Sequence, residues 1–105
     1  MKLYHYTSKK FNSIDLSKCD GFWMTTISPD QKELLNEIGA TGCEYCAIVE
    51  FDDSGEYLLN GSNNDVEDQL LNEDAAYILN RYDGFDDYAV INAELVKIID
   101  WVEVK

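Results

Sequence analysis

Five short runs rich in aromatic and β-branched residues constrain this chain more than any other feature: residues 2–6, 21–26, 44–51, 87–92 and 96–104. Each has the length and composition of a strand. A strand satisfies its backbone only by pairing, so the runs imply a β-sheet core. In the last, Val96, Ile98, Val102 and Val104 alternate with Lys97, Glu103 and Lys105, the period of a half-buried strand. In the third, Ala47, Val49 and Phe51 fall on one face. A further short strand is expected at 56–59, after the turn Asp52-Asp53-Ser54-Gly55. Two stretches have helical spacing instead. Ser28 can cap, Pro29 suits a first helical position and Gln31 completes a capping box; Leu34, Leu35 and Ile38 follow, and Gly39 and Gly42 end the helix. The second helix is expected to start from a cap at Asn64 or Asp65 and to run to about Tyr82. Its apolar stripe would be Leu70, Leu71, Ala75, Ile78 and Leu79, and Asp83-Gly84 would break it. Residues 9–20 read as a loop pinned to the core by Phe11 and Ile14. The expected fold is α+β: one domain over residues 1–105, several strands and two main helices.

Composition narrows the function. With 46% hydrophobic residues the chain can bury a core and is not a disordered tail. No apolar run approaches the ~20 residues that span a bilayer. Met1-Lys2-Leu3-Tyr4-His5 opens no signal-peptide core, so a cytoplasmic protein without a membrane partner is expected. Eight basic residues stand against 21 acidic ones, a net charge of −13. Phosphate backbones are bound by Lys and Arg, so direct nucleic-acid binding is not expected. An acidic surface suits a protein partner with a basic surface, a nucleic-acid-binding protein included.

Several chemistries lack their residues. Cys19, Cys43 and Cys46 make an odd number, and Cys43-Glu44-Tyr45-Cys46 has neither a second CxxC nor a nearby histidine to complete a zinc site. At the start of a strand, residues three apart point to opposite faces, so these thiols read as structural or incidental. His5 is the only imidazole, with no partner for a hydrolase triad and no metal-ligand spacing around it. GxGxxG, P-loop and HExxH motifs are absent. Asp86-Asp87 precede an apolar strand. As a plain turn they would be two solvated carboxylates. Held at a strand edge facing a cleft, one of them could stabilise a cation developing at an anomeric carbon.

Three segments together resemble a known family. Leu3-Tyr4-His5-Tyr6-Thr7-Ser8, Gly21-Phe22-Trp23-Met24-Thr25-Thr26 and Asp87-Tyr88-Ala89-Val90-Ile91-Asn92-Ala93-Glu94-Leu95-Val96-Lys97 occur in that order, with Tyr82-Asp83-Gly84-Phe85 before the last. They resemble the three strands that carry the His–Tyr–acid triad of ADP-ribosyltransferases, in a minimal single-domain form similar to phage anti-CRISPR members. The resemblance implies a split β-sheet core and NAD as substrate. It places His5 on the adenosine ribose, the Tyr6 backbone at the nicotinamide amide, Trp23 in the place of the stacking tyrosine and Asp87 as the catalytic acid, with Thr7 and Thr25 also among the NAD-binding residues. Three positions depart from the family pattern: Tyr6 stands where glycine is common, Trp23 where tyrosine is common, and Asp87 where glutamate is common. Leu34 stands where the second helix of the family often has a stacking tyrosine. The implied activity is mono-ADP-ribosylation of a protein target, in phage–host or toxin conflict, in the host cytoplasm if the chain is phage-encoded. The alternative expectation is a catalytically inactive acidic protein that inhibits a basic, nucleic-acid-binding partner.

Overall fold

A computed structural model describes residues 1–11, 14, 21–62 and 64–104. Seven strands form one sheet: β1 (Lys2–Thr7), β2 (Phe22–Thr25), β3 (Tyr45–Phe51), β4 (Tyr57–Leu59), β5 (Tyr77–Arg81), β6 (Asp86–Val90) and β7 (Val96–Glu103). Their order is β4-β5-β6-β2-β1-β3-β7. All pairings are antiparallel except that of β4 with β5. Two short helices, α1 (Lys32–Glu37) and α2 (Val66–Glu73), complete an α+β fold.

The sheet has a seam. Strand β1 pairs with β3 along its whole length, from Lys2 opposite Glu50 to Thr7 opposite Tyr45. It meets β2 through one registered position, Tyr4 opposite Thr25. Strand β2 in turn pairs with β6 from end to end. The halves β1-β3-β7 and β4-β5-β6-β2 are each well knit and are joined thinly.

Alternation along the strands sorts the side chains onto two faces. One face carries a continuous core that includes Leu3, Phe22, Met24, Val49, Phe51 and Tyr88, with Phe11 and Ile14 packed against it. The expected pinning of the loop by those two residues therefore holds, while Cys19 lies outside the described residues. The other face carries both helices. Helix α1 packs Leu35 against Cys46, Tyr4 and Tyr6 on one side of the seam. Helix α2 packs Val66 and Leu70 against Ile78, Ala89 and Trp23 on the other. Gly21 allows that second packing: at φ 102° it opens β2, and a Cβ there would stand 3.0 Å from Val66 Cγ1.

Three local expectations are corrected. The capping box forms one turn early: the Ser28 N–H donates to Gln31 Oε1 (2.9 Å) and the Gln31 N–H to the Ser28 carbonyl (3.0 Å). They close a turn, and α1 begins only at Lys32. Gly39, at φ 74°, stops the helix as expected. The second helix ends at Glu73, not near Tyr82, because Asp74 turns left-handed (φ 52°) and Tyr77–Arg81 is strand β5. The apolar run there serves both faces: Tyr77 and Leu79 enter one core, Ile78 the other. A helical stripe cannot do this, and a strand buried on two faces must. In β7 the alternation breaks at a bulge, since Val49 faces Ile98 but Ile48 faces Asp100. The extra residue, Ile99, is exposed, and the parity then flips. Val96, Ile98 and Trp101 share one core, while Val102 and Val104 pack under α1.

Candidate functional site

A cavity of about 400 Å³ opens on the helical face over the seam. Tyr4, His5 and Tyr6 of β1 and Trp23, Met24 and Thr25 of β2 border it. Asp87 of β6, Tyr82 beyond β5 and the segment Ile38–Ala40 with Cys43 close the rest. Five of the six residues expected at a site therefore border one space: His5, Tyr6, Trp23, Thr25 and Asp87. The sixth, Thr7, stays outside it. Its hydroxyl is taken up in a turn with Lys9, donating to the Lys9 carbonyl (3.2 Å).

The alternation that brings four of these side chains together sends the fifth the other way. Tyr6, Trp23, Thr25 and Asp87 lie on the helical face, as their registered neighbours Cys46 and Ala89 do. His5 stands opposite Ala47, whose core is on the other face. Its ring stacks on Phe22 (4.2 Å between centroids, 25° between planes) and meets the edge of Phe11. His5 Nδ1 lies 2.6 Å from the Trp23 carbonyl. A carbonyl only accepts, so this nitrogen carries the proton and donates across the seam. Burial lowers the His5 pKa, and the bond to Trp23 offsets this in part. The ring is thus a neutral brace that fixes the backbone of Trp23.

Tyr6 is also committed locally, its Oη donating to the Ile27 carbonyl (2.6 Å). Burial and the neighbouring Cys46 thiol push the Tyr6 pKa up, so the phenol stays protonated. Cys46 lies buried beneath it with its thiol pushed up to about 11, mainly by burial, which makes it a poor nucleophile. Cys43, one residue beyond the turn that precedes β3, borders the cavity. Because Cys43 is not on the strand, the expected opposite-face geometry of the CxxC does not apply, and both thiols are free and lie on the α1 side.

Asp87 is the carboxylate that borders the cavity. Crossed bonds lock the mouth of β6 to the end of β2: the Thr26 N–H donates to the Asp86 carbonyl (3.0 Å) and the Asp86 N–H to Thr26 Oγ1 (3.0 Å). Asp87 then sits directly opposite Thr25. Burial raises the Asp87 pKa, the Thr25 hydroxyl bond opposes this, and the charge of Asp86 adds to the rise. Its Oδ1 is buried without a hydrogen-bond partner. An acceptor buried without a protein partner costs stability. A second cavity, bordered by Glu37, Ile38, Tyr82, Asp83 and Phe85, meets the first at Asp87.

Sequence reasoning missed Tyr82 as a wall, although its place in Tyr82-Asp83-Gly84-Phe85 was visible. Tyr82 is exposed and stacks on Phe85 (4.9 Å, 18°), giving the cavity an aromatic rim. Comparison with protein-family models, curated proteins and solved structures returned no match for this chain.

Proposed function

We propose that this chain is an NAD-dependent mono-ADP-ribosyltransferase acting on a protein. The observation that carries the reading is the orphaned Asp87 oxygen beside the aromatic wall of Trp23, in a cavity of about 400 Å³ at the sheet seam. That volume lies in the range of small-ligand sites and suits a nicotinamide with its ribose. The lining fits: Trp23 and Tyr82 offer flat faces, and the Asp87 carboxylate that borders the cavity can accept from a ribose hydroxyl.

In this reading the chain's residues position and polarise more than they react. Trp23, its backbone held by His5, packs the nicotinamide ring. Ionised Asp87 binds a hydroxyl of the nicotinamide ribose and stabilises positive charge growing at the anomeric carbon, where exclusion of water strengthens the interaction. The carbon–nitrogen glycosidic bond breaks with its electrons passing to the nicotinamide nitrogen. A nucleophile of the target then bonds to that carbon and releases its proton to solvent. Since Asp87 must be ionised to act, transfer should rise with pH through the raised Asp87 pKa. The test is transfer of labelled ADP-ribose from NAD to candidate protein targets by the wild type and by Asp87→Asn. Equal labelling by both contradicts the assignment.

One observation favours a second reading. Exposed acids cluster at Asp52, Asp53 and Glu56 and again at Glu67, Asp68, Glu73 and Asp74, against a net charge of −13. A catalytically silent protein could use that field to occupy a basic partner. Such binding would weaken steeply with salt and ignore NAD. Among the described residues no helix is long and apolar enough to cross a membrane.

A further inference from the structure

Asn80 lies on β5 directly opposite Asp87 on β6. The pleat places it on the helical face, since its neighbours Tyr77 and Leu79 fill the opposite core with alternate residues pointing the other way. Directly opposed residues of an antiparallel pair hold their Cβ atoms within about 5.5 Å, so the amide and the carboxyl are in reach of each other. Asn80 is 4% exposed, one of only two buried polar residues among those described, the other being Thr25. Its Oδ1 has no hydrogen-bond partner, and neither has Asp87 Oδ1. These are the two unsatisfied buried side-chain atoms of the described residues, and they belong to one cross-strand pair.

Two acceptor oxygens on directly opposed residues satisfy each other only through a shared proton. The surroundings supply no positive charge. Neither cavity that Asp87 borders is lined by a lysine or arginine. On the helical face Asp87 shares its cavity with Thr25 on β2 and Tyr4 and Tyr6 on β1, while Asp86 adjoins it on its own strand and the His5 ring is turned to the other face. Tyr82 and Asp83 beyond β5, Glu37 of α1 and Cys43 complete these surroundings. Arg81 stands opposite Asp86 rather than Asp87. An ionised Asp87 in the empty cleft would meet carboxylates, hydroxyls and an amide oxygen.

We propose that Asn80 is the positioning residue of Asp87: its amide oxygen accepts the proton of the neutral carboxyl in the empty cleft and so fixes the direction of that carboxyl. When a ligand hydroxyl donates to Asp87, the carboxyl gives its proton to solvent and the ion is held by the ligand instead. The second half of this inference rests on the proposed NAD site; the first half does not. Burial, which raises the Asp87 pKa, acts in the same direction.

The test separates the two halves. Carboxyl-carbon NMR of the ligand-free protein follows the Asp87 titration directly. In the wild type the Asn80 side-chain carbonyl should move with the same midpoint as Asp87. In Asn80→Leu, of similar volume and equally buried, the Asp87 midpoint should fall by about 0.5–1 pH unit, the worth of one lost hydrogen bond to the neutral form. A midpoint that stays or rises, or an Asn80 carbonyl signal indifferent to Asp87, overturns the positioning role. The wild-type signal needs no variant, so a poorly folding Asn80→Leu leaves the test intact. Calorimetry of NAD binding in buffers of different ionisation enthalpy, at a pH below the Asp87 midpoint, then reads the coupled step. Proton release on binding is expected in the wild type. Binding without release overturns the handover, and absence of NAD binding removes the ligand while the NMR result still stands.

Discussion

The two faces of the sheet at its seam solve opposite problems. On one, His5, Phe22, Phe11 and Trp101 interlock ring against ring, and the imidazole is bonded to the Trp23 carbonyl. On the other, Asp87 on β6 and Asn80 on β5 each bury one oxygen without a hydrogen-bond partner. A chain selected for stability alone would finish both faces alike. The contrast is that the first face is packed and bonded across the seam while the second leaves a cavity over it, bordered by Asp87.

The comparison breaks most visibly in the core of the finished face. Phe51, 1% exposed and packed on Tyr77 and Tyr88, should lose about 3–5 kcal/mol on Phe51→Ala, read by denaturant unfolding. A loss below about 1 kcal/mol would show that this face is not where stability resides. On the hollow face the sign should reverse. Asp87→Asn replaces a buried acid, which must stay protonated to donate to Asn80 Oδ1, with an uncharged amide that donates at any pH, and should stabilise the protein at neutral pH by on the order of 1 kcal/mol, a figure reduced for partial exposure. It should at the same time abolish transfer. Destabilisation by this substitution would contradict the description of Asp87 as costly.

The pH dependence sharpens the same contrast, because the two groups have opposite shifts. The folded pKa of His5 is lowered, so its contribution is complete above the unfolded value of about 6.5 and is lost as pH falls from there through the folded value. The folded pKa of Asp87 is raised, so its contribution is complete below about 3.9 and is lost as pH rises through the folded value. His5→Phe should flatten the acid-side slope between about pH 6.5 and the folded value, and Asp87→Asn the opposing one. Melting curves across pH for the three proteins check both signs. The smallest effect belongs to neither face: Ile99→Lys at the exposed bulge should change stability by less than about 0.5 kcal/mol.

Much of the fold was legible where a single period ruled. The strands at 2–6, 21–26, 44–51 and 56–59 were found within a residue or two because no helical spacing competes there. The failures come where a local pattern served two masters. Residues 77–81 read as the tail of a helix because Ile78 and Leu79 fit a stripe, but the sheet required an interior strand with both faces buried. The bulge in β7 is invisible to alternation, since one extra residue leaves every residue type in place and changes only the partner.

The site shows the same division. Trp23, Thr25 and Asp87 were legible from motif order, and one cavity gathers them. The direction of the His5 ring was not, because parity depends on which neighbour β1 pairs with along its length. Asn80 had no signal at all: it lay inside the misread helix, and only the register of β5 with β6 reveals what stands opposite it.

The most direct test of the central claim, that the hollow face is a site for NAD, is calorimetric titration of NAD into the wild type and into Trp23→Ala. Trp23 is half-buried and lies away from the finished core, so the variant should keep its fold by circular dichroism. The account predicts saturable binding by the wild type that disappears in Trp23→Ala. No heat from the wild type at millimolar NAD, or equal binding by both proteins, would contradict it.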